Sequence, residues 1–493
     1  MVNPANVAFG VPAAERDAGL IHYFVENEAF RRIKSGEKFI ILGNRGSGKT
    51  AIIRMIEEYE KQQGHVVINV SPDDYSYELF SQNMLAQDKG SWVKQSAYAA
   101  AWRYVLFILA MKELNSTSKS PVKLGSANKI YSYLRDNHKM DNLNPIGMLI
   151  SYLKRLENLK VGSFEVNTKV KELDKLYKLE EIQELIEPLK EVGSKRPIIV
   201  LIDELDRGWD SSEDAQAFVA GLFEASLRIN LQMRGAMRVI LSLRRELYDS
   251  IPSIYSDSQK YTDVIEIIEW DEQSLLQLIS LRILASFPET RDLDHRSRWN
   301  TTFPETLEYR QTKSFNYIVD RTLYRPREII QFCSTIQKVA ADKGKPKFDY
   351  ETISIAESDY SQQRLKDIAN EYKFQYPGLG SIFETFRGMT YTLDRDELET
   401  HCLRIILQYL PVEPEAKVWC VECDPNKMIQ ILWDVGFIQA FLVGKLKANQ
   451  RAGSRYLGVY QNSSLPLINI NKFQIHPMFR SYLGTKEKKV QQQ

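Results

Sequence analysis

Residues 43–50 read Gly43-Asn44-Arg45-Gly46-Ser47-Gly48-Lys49-Thr50, and the reading of the whole chain starts from this octapeptide. Its spacing is G-x-x-x-x-G-K-[ST]. The apolar run Phe39-Ile40-Ile41-Leu42 precedes it, and Ala51-Ile52-Ile53-Arg54-Met55-Ile56 follows with apolar positions at helical spacing. Strand, glycine-rich turn and helix form the context in which this spacing signifies phosphate binding. Three glycines let the backbone curl so that successive N–H groups point at an anion. The helix beginning near Lys49 adds the positive end of its dipole. Lys49 is placed for the β- and γ-phosphates of a nucleoside triphosphate, and the Thr50 hydroxyl for Mg²⁺. All eight residues are candidate cofactor contacts.

A second motif indicates what happens to the triphosphate. Pro197 to Ile202 is an apolar run that ends in Asp203-Glu204-Leu205-Asp206, the pattern of a central parallel strand whose carboxyl end meets a ligand. Asp203 is the expected metal ligand beside Thr50, and Glu204 the residue that orients or deprotonates the attacking water. An acidic turn in which Asp206 caps a helix is the plain alternative. Adjacent Asp-Glu favours hydrolysis over phosphorylation of a small acceptor, because a carboxylate beside the metal serves to position water.

The remaining bounds come from composition. A chain of 493 residues, 43% hydrophobic and 26% charged, has the make-up of a globular protein of about three domains. A net charge of +1 gives no global bias toward nucleic acid or membrane. Four cysteines argue against a disulfide framework. The pair Cys420 and Cys423, with His401-Cys402, is read as reduced thiols rather than a zinc site. No signal peptide is visible after Met1, and the greasiest stretch, Tyr98 to Met111, contains Arg103 and is too short to span a bilayer. A cytoplasmic location without a membrane is expected.

Five strands are expected near 38–42, 65–70, 197–202, 238–243 and 263–268, with one helix over Leu20 to Ile33. The long interval 71–195 reads as a helical insertion, and its charged segment (Val170 to Val192) carries leucines at helical spacing that cover its own domain or meet a partner. Ser242, Arg244 and Arg245 end the fourth strand, where a guanidinium can sense a γ-phosphate. Pro326 suits a first helical turn. Arg325 and Arg327 flank it at a helix start, where the dipole disfavours cations; a bound anion would explain them, and plain surface arginines are the alternative. Past Tyr350, helices followed by strand-like pieces suggest a winged helix. Between Lys427 and Lys489 ten Lys/Arg face two acids, a local +8. Lys445, Lys447, Arg451 and Arg455 fall on the wing, compatible with DNA or RNA phosphates; winged helices also serve as plain structural modules.

Phe9-Gly10 with Glu15, the 43–50 loop, Asp203-Glu204, Ser242 with Arg244-Arg245, and Tyr324-Arg325-Pro326-Arg327 together resemble the AAA+/STAND group of P-loop ATPases, including archaeal origin-recognition ATPases and bacterial defence-associated STAND proteins. The resemblance implies ATP and Mg²⁺ as cofactors and an α/β P-loop NTPase fold. That fold has a five-stranded parallel sheet, a large helical insertion, a helical lid and a C-terminal winged-helix domain. The implied boundaries are 1–270 for the core, 271–349 for the lid and 350–493 for the C-terminal domain. It also implies that Phe9 and Gly10 lie near adenine, that Ser242 and Arg244 serve catalysis with Glu204 and Lys49, and that Arg325 or Arg327 meets the phosphates. Arg-Pro-Arg fits either the AAA+ lid sensor or the STAND proline motif. The stretch Tyr248 to Asp263, where ring-forming members place an arginine finger, contains no arginine. That favours a nucleotide-dependent switch, acting with an effector protein or as a homo-oligomer, over a ring motor. A DNA-binding initiator or remodeller is the competing reading.

Overall fold

The computed structural model describes residues 3–70, 91–117, 124–137, 179–205, 212–251, 254, 261–308, 311–345, 347–443 and 455–488. Two compact units divide the chain: Glu26–Glu269, and Met1–Val25 together with Trp270–Gln493. The N-terminal piece of the second unit carries a short helix, α1 (Leu20–Tyr23).

The unit Glu26–Glu269 opens with α2 (Glu28–Ser35), β1 (Ile40–Gly43), α3 (Lys49–Gln62) and β2 (Val66–Val70). Helices α4 (Ser91–Ser116), α5 (Gly125–Asn137) and α6 (Leu179–Lys195) follow. The chain then runs through β3 (Ile198–Ile202), α7 (Glu213–Met233), β4 (Met237–Arg244), α8 (Arg245–Ser250) and β5 (Ile265–Ile267). The five strands lie in the order β2-β3-β4-β1-β5, and every neighbouring pair is parallel. Every residue of β1 and β3 is buried, which is why both read as unbroken Ile/Leu/Val runs instead of alternating patterns.

The helix expected over Leu20 to Ile33 is in fact two. Asn27 adopts an extended backbone and its side chain accepts the Phe30 N–H at 2.9 Å, so a new helix starts there. Apolar spacing alone could not reveal that break. Helix α4 is buried along most of its length, with Trp102, Val105, Leu106 and Ile108 fully inside, and it packs on α7. Gly221 permits the approach: a Cβ there would lie 2.6 Å from the Tyr98 Cβ and 2.8 Å from the Ala99 N. Ile182, Leu185 and Leu189 of α6 join the same core, so the amphipathic stripe covers its own unit. Leu173 and Leu176, expected on that stripe, lie outside the described residues.

The second unit continues with α9 (Glu272–Ser286), α10 (His295–Asn300), the small hairpin β6 (Thr306–Leu307) and β7 (Thr312–Lys313), α11 (Ser314–Val319), α12 (Pro326–Asp342) and α13 (Tyr350–Glu371). Next come α14 (Leu379–Glu384), β8 (Thr392–Asp394), α15 (Arg395–Ile406), α16 (Pro414–Cys420) and α17 (Pro425–Asp434). The last elements are β9 (Ile438–Leu442), β10 (Arg455–Leu457), β11 (Lys472–Ile475) and α18 (Pro477–Leu483). Strands β10-β9-β11-β8 form an antiparallel sheet in that order. One apolar core runs from Phe9 through the helices to Phe473 and Leu483. Cys333, Cys402, Cys420 and Cys423 are buried free thiols within it, and burial pushes all four up from the ordinary thiol range. Among the described residues, no helix is long and apolar enough to cross a membrane.

Candidate nucleotide-binding site

β1 delivers the chain into the glycine-rich loop at the carboxyl edge of the sheet. Gly46 (φ 79°) and Gly48 (φ 100°) take left-handed backbone that L side chains enter at a cost. Gly43 admits no side chain, because Ser47 fills the space where its Cβ would point. Gly48 caps α3 without a side-chain hydrogen bond, and the first turn holds no acid, so the helix presents backbone donors and a positive dipole end. Lys49 folds over the loop, its Nζ donating to the Gly43 carbonyl at 2.8 Å and the Asn44 carbonyl at 3.1 Å.

Register brings the remaining core residues together. Ile202 pairs with Leu241, Ile41 with Ser242 and Gly43 with Arg244. One further step along β3 therefore sets Asp203 level with Ser242 on the face that also carries Ile41. The connections from β1 and β4 leave in opposite directions along the sheet, and such a reversal opens a crevice at the strand ends. Glu204 sits there with φ 61°, a left-handed glutamate costing about 1–3 kcal/mol. Ser242 is 1% exposed, and its Oγ finds no hydrogen-bond partner among the described residues. Arg244 is half-buried beside Gly43. Arg245 turns to Asp249 at 3.7 Å. Asp206 lies outside the described residues.

The donor set fits a magnesium nucleotide: loop amides and Lys49 for phosphate, and at the strand end a buried hydroxyl with no hydrogen-bond partner among the described residues. With the metal bound, Thr50 and Asp203 would hold it, and it would neutralise phosphate charge.

Phe9, Gly10, Arg325 and Arg327 belong to the other unit. The Phe9 ring is buried against Phe303 (6.2 Å) and Phe348 (6.4 Å). Its carbonyl accepts from Arg282 Nη1 at 2.6 Å, and that guanidinium also meets Asp17 Oδ2 at 3.2 Å. The guanidinium carbon lies 4.2 Å from the centroid of the Tyr23 ring. Gly10 has φ 76°, and a Cβ on it would meet Arg282, the Tyr23 hydroxyl at 2.7 Å and Asp17 at 3.2 Å. Burial, aided by the Asp17 hydrogen bond, pushes the Tyr23 phenol up to about 12. Sequence reading missed Arg282 and Asp17. The available signal was a lone arginine inside the apolar face of α9.

Arg325 and Arg327 part ways. Arg325 caps α12 and is buried, its Nη1 3.1 and 2.8 Å from the two Glu371 carboxylate oxygens. Arg327, two residues on and within the first turn, is half-buried.

A parallel sheet with a left-handed glycine loop at β1, an acidic pair after β3 and a buried serine on β4 defines a P-loop NTPase domain. Residues 9–207 match the model of the ORC-CDC6-like family, and residues 273–369 match a FunZ-associated C-terminal helical domain. Residues 9–207 are thus an ORC-CDC6-like domain of the AAA+ type, and a FunZ-associated C-terminal helical domain follows it. It is also 26% identical over 445 residues to an 80.3 kDa protein described as belonging to transposon gamma-delta of Escherichia coli (strain K12), covering 87% of this chain and 61% of that protein. The chain therefore spans about three fifths of that relative's length. A shorter match, 25% identical over 122 residues, links 25% of the chain to 63% of the allergen Alt a 2 of Alternaria alternata.

Proposed function

We propose that this chain binds and hydrolyses Mg-ATP and acts as a nucleotide-dependent switch or scaffold in a complex that handles DNA, mobile or invading DNA being the setting suggested by the transposon-associated relative. The observation that carries the enzymatic part is the Ser242 hydroxyl, buried without a hydrogen-bond partner among the described residues at the level of Asp203, in a sheet that also holds the 43–50 loop. Glu204 positions the attacking water, Lys49 and the loop amides hold the phosphates, and Arg244 faces the same edge. Arg327 is the lid residue we assign to the triphosphate; Arg325 is engaged by Glu371. We keep the divisions 1–270, 271–349 and 350–493 as functional parts, with a winged helix in the last. There, α15, α16 and α17 precede the β9–β10 hairpin.

The switch reading is tested by limited proteolysis of the full chain in Mg-ADP and in a non-hydrolysable Mg-ATP analogue. It expects different cleavage patterns, merging in Arg327→Ala. Identical patterns for the unmodified protein would remove it. The second reading, a DNA-binding initiator, draws on the exposed Arg455 at the β9–β10 hairpin; Lys445, Lys447 and Arg451 lie outside the described residues. Part of the local +8 is spent internally. Arg480 packs over Tyr391 at 4.0 Å and donates to the Ile475 carbonyl at 2.8 Å, and Lys488 pairs with Asp394 and Glu397, each at 2.9 Å.

A further inference from the structure

The turn that presents Arg327 is held from outside itself. Tyr324 carries φ 56°, the left-handed region that a bulky aromatic rarely adopts. Such a conformation persists only where the surroundings over-determine it, and here three contacts from outside the turn and one within it do so. Tyr324 stacks on Tyr460, with ring centroids 5.2 Å apart and planes at 23°. Arg325 is clamped by Glu371 at the end of α13, both side chains being under a tenth exposed (7% and 3%). Glu328 closes the turn, its carboxylate accepting the Leu323 N–H at 2.6 Å, and Leu323 packs on Gly436, where a Cβ would stand 3.0 Å from its Cδ2.

Tyr460 is itself fixed by the C-terminal sheet. Its hydroxyl accepts from Gln439 Nε2 at 3.0 Å and meets His476 Nε2 at 3.0 Å. His476 Nδ1 accepts the Met478 N–H at 3.1 Å, so the ring proton sits on Nε2 and points at Tyr460. Gln439 Oε1 accepts from Gln474 at 2.6 Å. The Arg-Pro turn is therefore tied to β9, β11 and the start of α18 through one half-buried aromatic pair and to α13 through one buried ion pair.

We infer that Glu371 and Tyr460 are positioning residues for Arg327: the C-terminal elements hold the 322–328 turn in its strained shape, and the way Arg327 is offered to a triphosphate depends on them. The inference rests on the assignment of Arg327 given above and extends it, because it puts nucleotide discrimination under the control of whatever engages the C-terminal sheet.

The test uses the full chain and titrates Mg-ADP and a non-hydrolysable Mg-ATP analogue onto the unmodified protein, Arg327→Ala, Glu371→Gln, Tyr460→Ala and Tyr460→Phe, with melting curves to certify folding. A charge-assisted contact confined to the triphosphate state should be worth about tenfold or more in the ATP-to-ADP affinity ratio. Arg327→Ala should lose that preference. Glu371→Gln and Tyr460→Ala should lose most of it with ADP affinity retained, whereas Tyr460→Phe, which keeps the stacked ring, should stay near the unmodified ratio. In an Arg327→Ala background, Tyr460→Ala should cause no further change. Folded Glu371→Gln and Tyr460→Ala proteins with an intact ratio, or with losses that add to that of Arg327→Ala, would overturn the inference while leaving the Arg327 assignment standing. An unchanged ratio in Arg327→Ala itself would overturn both.

Discussion

Ser242 offers a direct way to tell function from structure at a single residue. The Ser242 hydroxyl has no partner among the described residues, and a buried hydroxyl left so costs about 1–3 kcal/mol; Ser242→Ala should therefore leave the nucleotide-free protein equally or more stable while ATP hydrolysis slows. Melting and phosphate-release assays check this. A loss of stability with unchanged turnover would make the hydroxyl structural. Glu204→Gln should retain Mg-ATP but hydrolyse it at least about a hundredfold more slowly, because the amide is nearly isosteric and a poor base. Turnover at the unmodified rate would send the search for the base to Asp206. Gly10→Ala should destabilise the second unit by about 1–3 kcal/mol through left-handed strain and crowding against Tyr23 and Arg282. An unchanged melting temperature would mean the clamp around Phe9 yields easily.

At the scale of elements, the histidines give the pH response a sign. Burial, with Arg404 adding, lowers His401 from 6.5 to about 4; its Nε2 lies 3.0 Å from the Thr385 hydroxyl. An unfolded chain therefore binds the proton more readily between those values. Stability from this group is whole above about 6.5 and is lost as pH falls toward 4, by about 3 kcal/mol at the end. His476, also buried and lowered, adds in the same direction. Melting temperatures from pH 7.5 to 5 should fall, with a shallower slope in His401→Gln; an equal slope in the variant would discount the residue. The elements legible in the sequence were those whose pattern is local. The five strands stand within a few residues of the apolar runs that announced them, and Gly43–Thr50 lies where strand, turn and helix placed it. What stayed hidden depends on distant partners: the break at Asn27, the Arg282–Asp17–Tyr23 cluster, and the separation of Arg325 from Arg327. The sequence showed two arginines in one motif. Only Glu371, forty-six residues beyond Arg325, tells them apart.

If the C-terminal region meets nucleic acid, the contact should be to phosphates, with weak sequence preference and a steep loss of affinity as salt rises. Neutralising Lys445, Lys447, Arg451 and Arg455 together should flatten that dependence and leave ATP hydrolysis unchanged. Failure of the unmodified protein to retain DNA or RNA even at low salt would favour a protein-docking role for this region. All of these roles presuppose the loop at 43–50, and calorimetric titration of Mg-ATP onto the full chain tests it most directly. The account predicts saturable binding by the unmodified protein that disappears, or weakens at least about a hundredfold, in a Lys49→Ala variant of unchanged melting temperature. Equal affinity in the two folded proteins, or no binding by the unmodified one, would contradict it.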